Sequence, residues 1–200
     1  MSERSAEIER RTGETSVLLR LGLDGTGAGT RETGVGFLDH MLDLLARHGR
    51  LDLEAGVQGD LQTGSHHTVE DTGIVLGQAL DRALGERRGI VRYGHAVVPM
   101  DEARAACAID VSGRPFCGCE GFERLPPGDI AGFEHEAAEE FFRAVASAAR
   151  LTLHLELQAG TNAHHMIEAC FKAFARALRA AVAVDPGETG VPSTKGTLTT

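Results

Sequence analysis

The chain has 200 residues, a formal charge of −9 and 42% apolar residues, with nine histidines and four cysteines. That length supports one sizeable core or two closely packed halves, and no stretch approaches a membrane span. The acidic balance argues against a general nucleic-acid binder, whose phosphate contacts need a basic surface.

In chain order, the opening "MSERSAEIER" carries no apolar export signal. Val17, Leu19, Leu21 and Leu23 then alternate with other residues, the period of a half-buried strand. "FLDHMLDLLARHG" has the i, i+3, i+4, i+7 spacing of an amphipathic helix, "LDLEAGV" predicts a strand, and "GSHHTVEDTG" opens a second helix. The order then repeats. "ACAIDVSG" predicts a strand, "EAAEEFFRAVASAAR" a helix, "LTLHLELQAG" a strand, and "TNAHHMIEAC" opens a long Ala-rich helix. "PGETGVPSTKGTLTT" predicts a mobile polar tail.

The two runs align as a repeat. Arg50, Leu51 and Leu53 stand one hundred positions before Arg150, Leu151 and Leu153; after a loop two residues shorter, His66 falls on His164 and Glu70 on Glu168. The expected organisation is two half-repeats, 1–90 and 91–185, with a tail over 186–200. Strands alternating with helices twice over predict two α/β layers packed through their helices, with sheets that could be mixed. Cys107, Cys117, Cys119 and Cys170 lack the spacing of a disulfide framework or zinc ribbon, so reduced thiols in a cytoplasmic protein are expected; "CGC" reads as small strand residues more readily than as a metal site.

The two HH-x-x-E phrases carry the chemistry. On a helix His66 and Glu70 share a face while His67 diverges by about 100°; His164, Glu168 and His165 stand in the same relation. If the duplication brings the helix starts together, the diverging histidines complete each other's sites, and the repeat adds His40 to one set and Glu140 to the other. The expected sets are His40, His67, His164 and Glu168, and His66, Glu70, His165 and Glu140. Imidazole with carboxylate suits zinc, manganese or iron, and octahedral sites with open positions favour manganese.

"RTGETSVLLRLGLDGTGAGTRETGVGFLDHML", "GSHHTVEDTGIVLGQAL", "RYGHAVVPMDEA", "GTNAHHMIEACFKAFARAL" and "PSTKGTL" together resemble the imidazoleglycerol-phosphate dehydratase family of histidine biosynthesis. The match runs through nearly the whole chain in order. The resemblance implies an internally duplicated α/β fold with two four-stranded sheets enclosing a layer of helices, and a 24-subunit assembly with dimanganese sites between neighbouring subunits, two Mn2+ per active site. It implies Glu14 as acid/base, with the metal-bound Glu70 and Glu168 as weaker proton carriers. Arg92, Arg114, Ser193, Thr194 and Lys195 match phosphate-binding positions, and His48 and Lys172 lie in segments that contact the ligand. Guanidinium forks and a lysine are what a phosphate monoester requires in a net-acidic protein, and a Ser/Thr/Gly tail ending in a lysine suits a closing lid.

The chain departs from the pattern at Glu140, where many members carry histidine; a carboxylate oxygen can replace imidazole nitrogen on manganese, with adjacent Glu139 as the alternative ligand. The implied reaction converts D-erythro-imidazole glycerol phosphate to imidazole acetol phosphate through a dimetal-bound imidazolate and a diazafulvene-like intermediate. Two rival readings of the motifs are a dinuclear metal hydrolase and a metal-storage protein.

Overall fold

The computed structural model describes residues 4–198. Its first half holds β1 (Ser5–Arg11), β2 (Thr15–Gly22), β3 (Arg31–Glu32), α1 (Gly36–Gly49), β4 (Asp52–Gly59) and α2 (His66–Leu84). The second holds β5 (Tyr93–Met100), β6 (Ala103–Asp110), β7 (Phe116–Glu120), the two-residue strands β8 (Asp129–Ile130) and β9 (Phe133–Glu134), α3 (Ala137–Ala148), β10 (Thr152–Ala159) and α4 (Ala163–Val182).

The strand order is β1-β2-β4-β3 in one four-stranded sheet and β5-β6-β10-β7 in the other. Each sheet is antiparallel except at one edge, where β3 runs parallel to β4 and β7 parallel to β10. Leu21 pairs with Leu53 in the first sheet and Ile109 with Leu153 in the second, so the registers superpose as well as the order. The fold is the expected one of two mixed sheets enclosing helices.

Alternation along the strands sets which side is buried. Val17, Leu19, Leu21, Leu53 and Leu153 face inward and are at most 2% exposed, whereas Arg20, Glu54, His154 and Glu156 face out. Between the sheets, α1 packs on α4 and α2 on α3. The core there is aromatic: the Phe142 ring lies 4.8 Å from Phe171 and 5.5 Å from Phe174, centroid to centroid. Gly73 and Gly77 on α2 permit the close approach of α3. A Cβ at Gly77 would come within 2.7 Å of the Val145 carbonyl oxygen, a clash with backbone that cannot move aside.

The helix ends repeat too. Arg50 and Arg150 both adopt the left-handed conformation with φ of 53°, and Leu51 and Leu151 donate to the Ala46 and Ala146 carbonyls at 3.0 and 2.9 Å. This caps the last turn in the manner usually given to glycine.

Strands β1 and β5 and the β8–β9 hairpin are absent from the sequence expectation. Only Ala6, Ile8 and Arg10 of β1 turn inward, and β5 turns in Gly94, Ala96, Val98 and Met100, too little apolar contrast to give a pattern. The tail also differs from the mobile segment expected. Gly89 donates to the Gly190 carbonyl at 2.8 Å, Arg92 to that of Pro192 at 2.8 Å and the fully buried Arg87 to that of Leu198 at 2.5 Å. Three residues of one loop, Arg87, Gly89 and Arg92, thus fasten it, and Leu198 is 4% exposed.

Candidate metal and substrate site

The second histidine helix is prepared at its N-terminus. Asn162 caps α4 by accepting the His164 and His165 backbone N–H groups at 2.9 and 3.3 Å. Glu102, from the β5–β6 turn, accepts the Thr161 and Asn162 N–H groups at 3.1 and 2.8 Å, placing a carboxylate at the positive end of the helix. On α2, Glu134 of β9 does the corresponding work by accepting the Ser65 N–H at 2.9 Å and its hydroxyl.

These caps hold the imidazoles in place. His164 Nε2 lies 3.0 Å and His40 Nε2 3.5 Å from Glu168 Oε2, and all three ligand atoms fall within 4.8 Å of one another. Donors around one cation bound at about 2.0–2.2 Å stand roughly 3–4.4 Å apart, so this His–His–carboxylate set fits a divalent ion. Phe37 packs its ring edge on His164 at 5.0 Å, a dry wall behind the ligand. Glu168 is 5% exposed, and its other oxygen accepts from Lys172 Nζ at 2.5 Å. Burial alone would push this carboxyl up, but Lys172, His164 and His40 together hold it below the usual range.

The other candidate ligands stand apart from this cluster. His66 Nε2 stands 3.8 Å from Glu70 Oε2, one turn along α2. Among the described residues, His66, Glu70, His165 and Glu140 are not gathered within 4.8 Å, and His67 does not join the His40 group. The meeting of the two helix starts expected within one chain is therefore corrected. α1 lies on α4 and α2 on α3, which pairs His40 with His164 and sets Glu140 on the helix facing His66, while the diverging histidines turn toward Asp60 and Glu102. Glu139 is engaged elsewhere, accepting from Arg143 Nε at 2.9 Å.

Both diverging histidines are oriented by carboxylates that the sequence motifs did not reveal. Asp60 oxygens lie 3.0 and 3.1 Å from His67 Nδ1, and Glu102 Oε2 lies 2.8 Å from His165 Nδ1. Such a partner fixes the ring and leaves Nε2 for a metal. The pairing holds Glu102 at about 2 through its His165 bond and raises His165, and it likewise raises His67 and lowers Asp60. Asp60 stands in the loop ahead of "SHH" and Glu102 in "MDEA"; acids there gave no spacing signal.

Glu14 is exposed at the β1–β2 turn with Oε1 3.8 Å from His67 Nε2. The strand registers make it the counterpart of Glu102, each being the residue before the second strand of its half. On α1, burial and the nearby Lys172 and Arg176 charges push His48 below the usual histidine range.

The phosphate candidates form a separate group. Arg92 Nε donates to Asp110 Oδ1 at 2.7 Å, Arg114 Nη2 lies 3.9 Å from Asp110 Oδ2, and Arg92 Nη1 binds the Pro192 carbonyl next to Ser193, Thr194 and Lys195. Arg92 N also donates to Ala181 O near the end of α4. At about 1.5 Å rise per residue, that point lies roughly 20–25 Å from the helix start that carries His164 and Glu168. A cleft of about 740 Å³ beside Glu7, Arg20, Glu54 and Arg82 contains none of the histidines, and Arg20 there is already paired with Glu54 at 3.3 Å.

A family model for imidazoleglycerol-phosphate dehydratase matches residues 33–178. The chain belongs to the imidazoleglycerol-phosphate dehydratase family. It is 56% identical over 198 residues to the Xanthobacter autotrophicus imidazoleglycerol-phosphate dehydratase, covering 98% of this chain and 100% of that one. The Moorella thermoacetica dehydratase is 54% identical over 195 residues, 98% of both chains. Among solved structures, the Staphylococcus aureus dehydratase superposes with a TM-score of 0.81 at 40% identity, covering 90% of this chain and 99% of that one. The Pyrococcus furiosus enzyme in complex with (S)-C348 gives 0.80 at 34% identity, covering 95% and 99%. Family membership makes the chain an enzyme, a hydro-lyase of histidine biosynthesis. No helix among the described residues is long and apolar enough to cross a membrane.

Proposed function

We propose that the chain performs metal-dependent dehydration of D-erythro-imidazole glycerol phosphate to imidazole acetol phosphate, in the cytoplasm, at sites completed by neighbouring copies. The observation that carries this reading is the His40–His164–Glu168 triad, a ready ligand set that the dehydratase family membership ties to an imidazole substrate. The length of α4 supports completion between copies: a three-carbon phosphate side chain cannot reach from that triad to Arg92 of the same chain. His67 and His165, each oriented by a carboxylate and standing apart from the His40–His164–Glu168 cluster, suit ligands given to a second subunit. A closed assembly, 24 subunits in the family, is a symmetric way to satisfy every such half-site.

His40, His164 and Glu168 would hold one cation with a second copy's His67, and His66, Glu70 and Glu140 another with a second copy's His165. When bound, two manganese ions would draw charge from the imidazole ring of the substrate, easing loss of the hydroxyl beside it. The protein's own contribution is positioning and proton transfer. Arg92, Arg114, Ser193, Thr194 and Lys195 hold the phosphate by charge-assisted hydrogen bonds. Lys172 orients Glu168 through its ion pair, and His48, whose pKa the Lys172 charge helps to lower, is available to accept or donate a hydrogen bond. Glu14, exposed and with no metal to serve, takes the proton from the side-chain carbon and releases it to solvent. The resulting enol ketonises to the product.

The test is product formation with added manganese, before and after chelation. Imidazole acetol phosphate should form with metal, stop on chelation and return on reloading. Phosphate release without that product would identify a hydrolase, and full metal loading without any turnover a storage protein.

A further inference from the structure

The "CGC" of β7 is not used by this chemistry. Cys117 and Cys119 lie two residues apart on one side of the strand, half-buried against the core, with Sγ atoms 3.6 Å apart. The other two cysteines are buried singly, Cys107 at 3% and Cys170 at 1% exposure. Cys119 also lines a cleft of about 650 Å³ with Phe122, Glu139 and Glu140, so small polar reagents can reach it.

The geometry points to Cys117 and Cys119 as a reversible dithiol–disulfide pair, oxidised by hydroperoxides and reduced by small thiols. Residues i and i+2 of a strand stand roughly 6.4–6.8 Å apart at Cα, the upper end of what a disulfide spans, so closing the bond needs only deeper pleating. Two features permit that movement. The residue between them is glycine, and β7 is the edge strand of its sheet, hydrogen-bonded to β10 on one side. Arg143 of α3 reaches over the strand toward the Cys117 carbonyl at 3.5 Å, which places a guanidinium beside the thiols. The contact between the two thiols, in which either sulfur can donate, holds Cys117 below the ordinary thiol range, with help from Arg143 and against burial, and pushes Cys119 up. One sulfur of the pair attacks and the other resolves.

The chemistry balances in two steps. The thiolate of one cysteine attacks one peroxide oxygen; the O–O bond breaks and hydroxide leaves, taking the thiol's proton as water. The sulfur of the other cysteine then attacks the sulfenic sulfur; the S–S bond forms, the S–O bond breaks, and the second water leaves with the second thiol's proton. Two electrons pass from the thiols to peroxide.

The whole protein is treated with hydrogen peroxide, blocked with a maleimide and read by fragmentation mass spectrometry. A loss of two hydrogens within residues 117–119, reversed by dithiothreitol, is expected, with Cys107 and Cys170 alkylated only after unfolding. In Cys119→Ser and in Cys117→Ser, dimedone should trap a sulfenic acid on the remaining sulfur that the wild-type protein, which closes the bridge, does not accumulate. Independent advance of both wild-type thiols to sulfinic acid, with no bridged species, overturns the pair.

Discussion

Arg92 and Asp110 form a two-pronged ion pair, Nε to Oδ1 at 2.7 Å and Nη2 to Oδ2 at 3.1 Å, and the remaining Nη1 donates to the Pro192 carbonyl at 2.8 Å. The arginine therefore joins β6 to the tail before any phosphate arrives, and a substrate would meet a partly neutralised guanidinium. Arg92→Ala should loosen the tail as well as weaken substrate binding, whereas Lys195→Ala, at an exposed position, should weaken binding alone. Each loses a charge-assisted bond of about 1.5–3 kcal/mol, or about one to two decades in affinity. Hydrogen exchange over 190–198 together with KM separates the two; unchanged exchange in the Arg92 variant would show that the tail does not depend on it.

Asp60 and Glu102 matter through the rings they hold. Asp60→Asn and Glu102→Gln should leave the fold intact and lower metal affinity by about 10–100-fold, because a second-layer carboxylate fixes the ring and raises its basicity. Metal titration of the two variants, with circular dichroism as the fold control, checks this. Normal affinity in both would mean that His67 and His165 are not ligands.

Glu14 and Glu102 occupy matching turns and do different work: Glu102 accepts two backbone N–H groups and orients His165, while Glu14 is exposed and makes no close side-chain contact beyond 3.8 Å from His67. The first is spent on structure, which leaves the second free to move a proton. Glu14→Gln should retain metal and assembly and lose most of kcat. Near-normal turnover at full metal content would move that role to another group.

Asp52 gives a stability prediction away from the site. Its Oδ1 accepts the Thr26 and Ala28 N–H groups at 2.8 and 2.9 Å, and these bonds hold its carboxyl below the usual range. A lowered folded value means that the stabilisation is complete above the unfolded value of about 3.9 and lost as pH falls through the folded one. The urea midpoint should therefore drop less between pH 6 and about 3.5 in Asp52→Asn than in the parent. An equal drop would assign acid sensitivity elsewhere.

What the sequence disclosed follows from what repeats in it. The helices were legible because Phe37, Leu38, Met41, Leu42 and Leu45 keep one face apolar, and the candidate metal site because HH-x-x-E occurs twice in register. Strands β1 and β5 were not, because edge strands facing α2 and α4 need only small or mixed residues inward. The orienting acids were hidden for another reason. Asp60 lies at the end of β4 and Glu102 in a turn of the other hairpin, so they reach His67 and His165 from non-equivalent positions that no repeat alignment pairs. The helix pairing also decided which ligands meet within a chain, and it is set by packing of Gly73 and Gly77 against α3 rather than by ligand spacing.

Glu140 is the remaining ligand to test. The repeat aligns it with His40, and the strand and helix registers preserve that correspondence through Arg50 and Arg150, which share φ of 53°. His40 stands on α1 and meets His164 and Glu168 on α4; Glu140 stands on α3, which packs on α2 with His66 and Glu70. Glu139 is the less suitable donor because Arg143 already holds it, 2.9 Å from Nε to Oε1. If Glu140 serves, one site holds three imidazoles and one carboxylate, and the other two of each. The second is harder and should favour manganese over zinc. Glu140→Ala should then remove about one ion of the two per chain in metal analysis, and Glu140→His should retain both and shift selectivity toward zinc. Glu139→Ala should keep both ions. Loss of metal in the Glu139 variant with none in Glu140→Ala would exchange the two roles, and full metal in both would leave water in that ligand position.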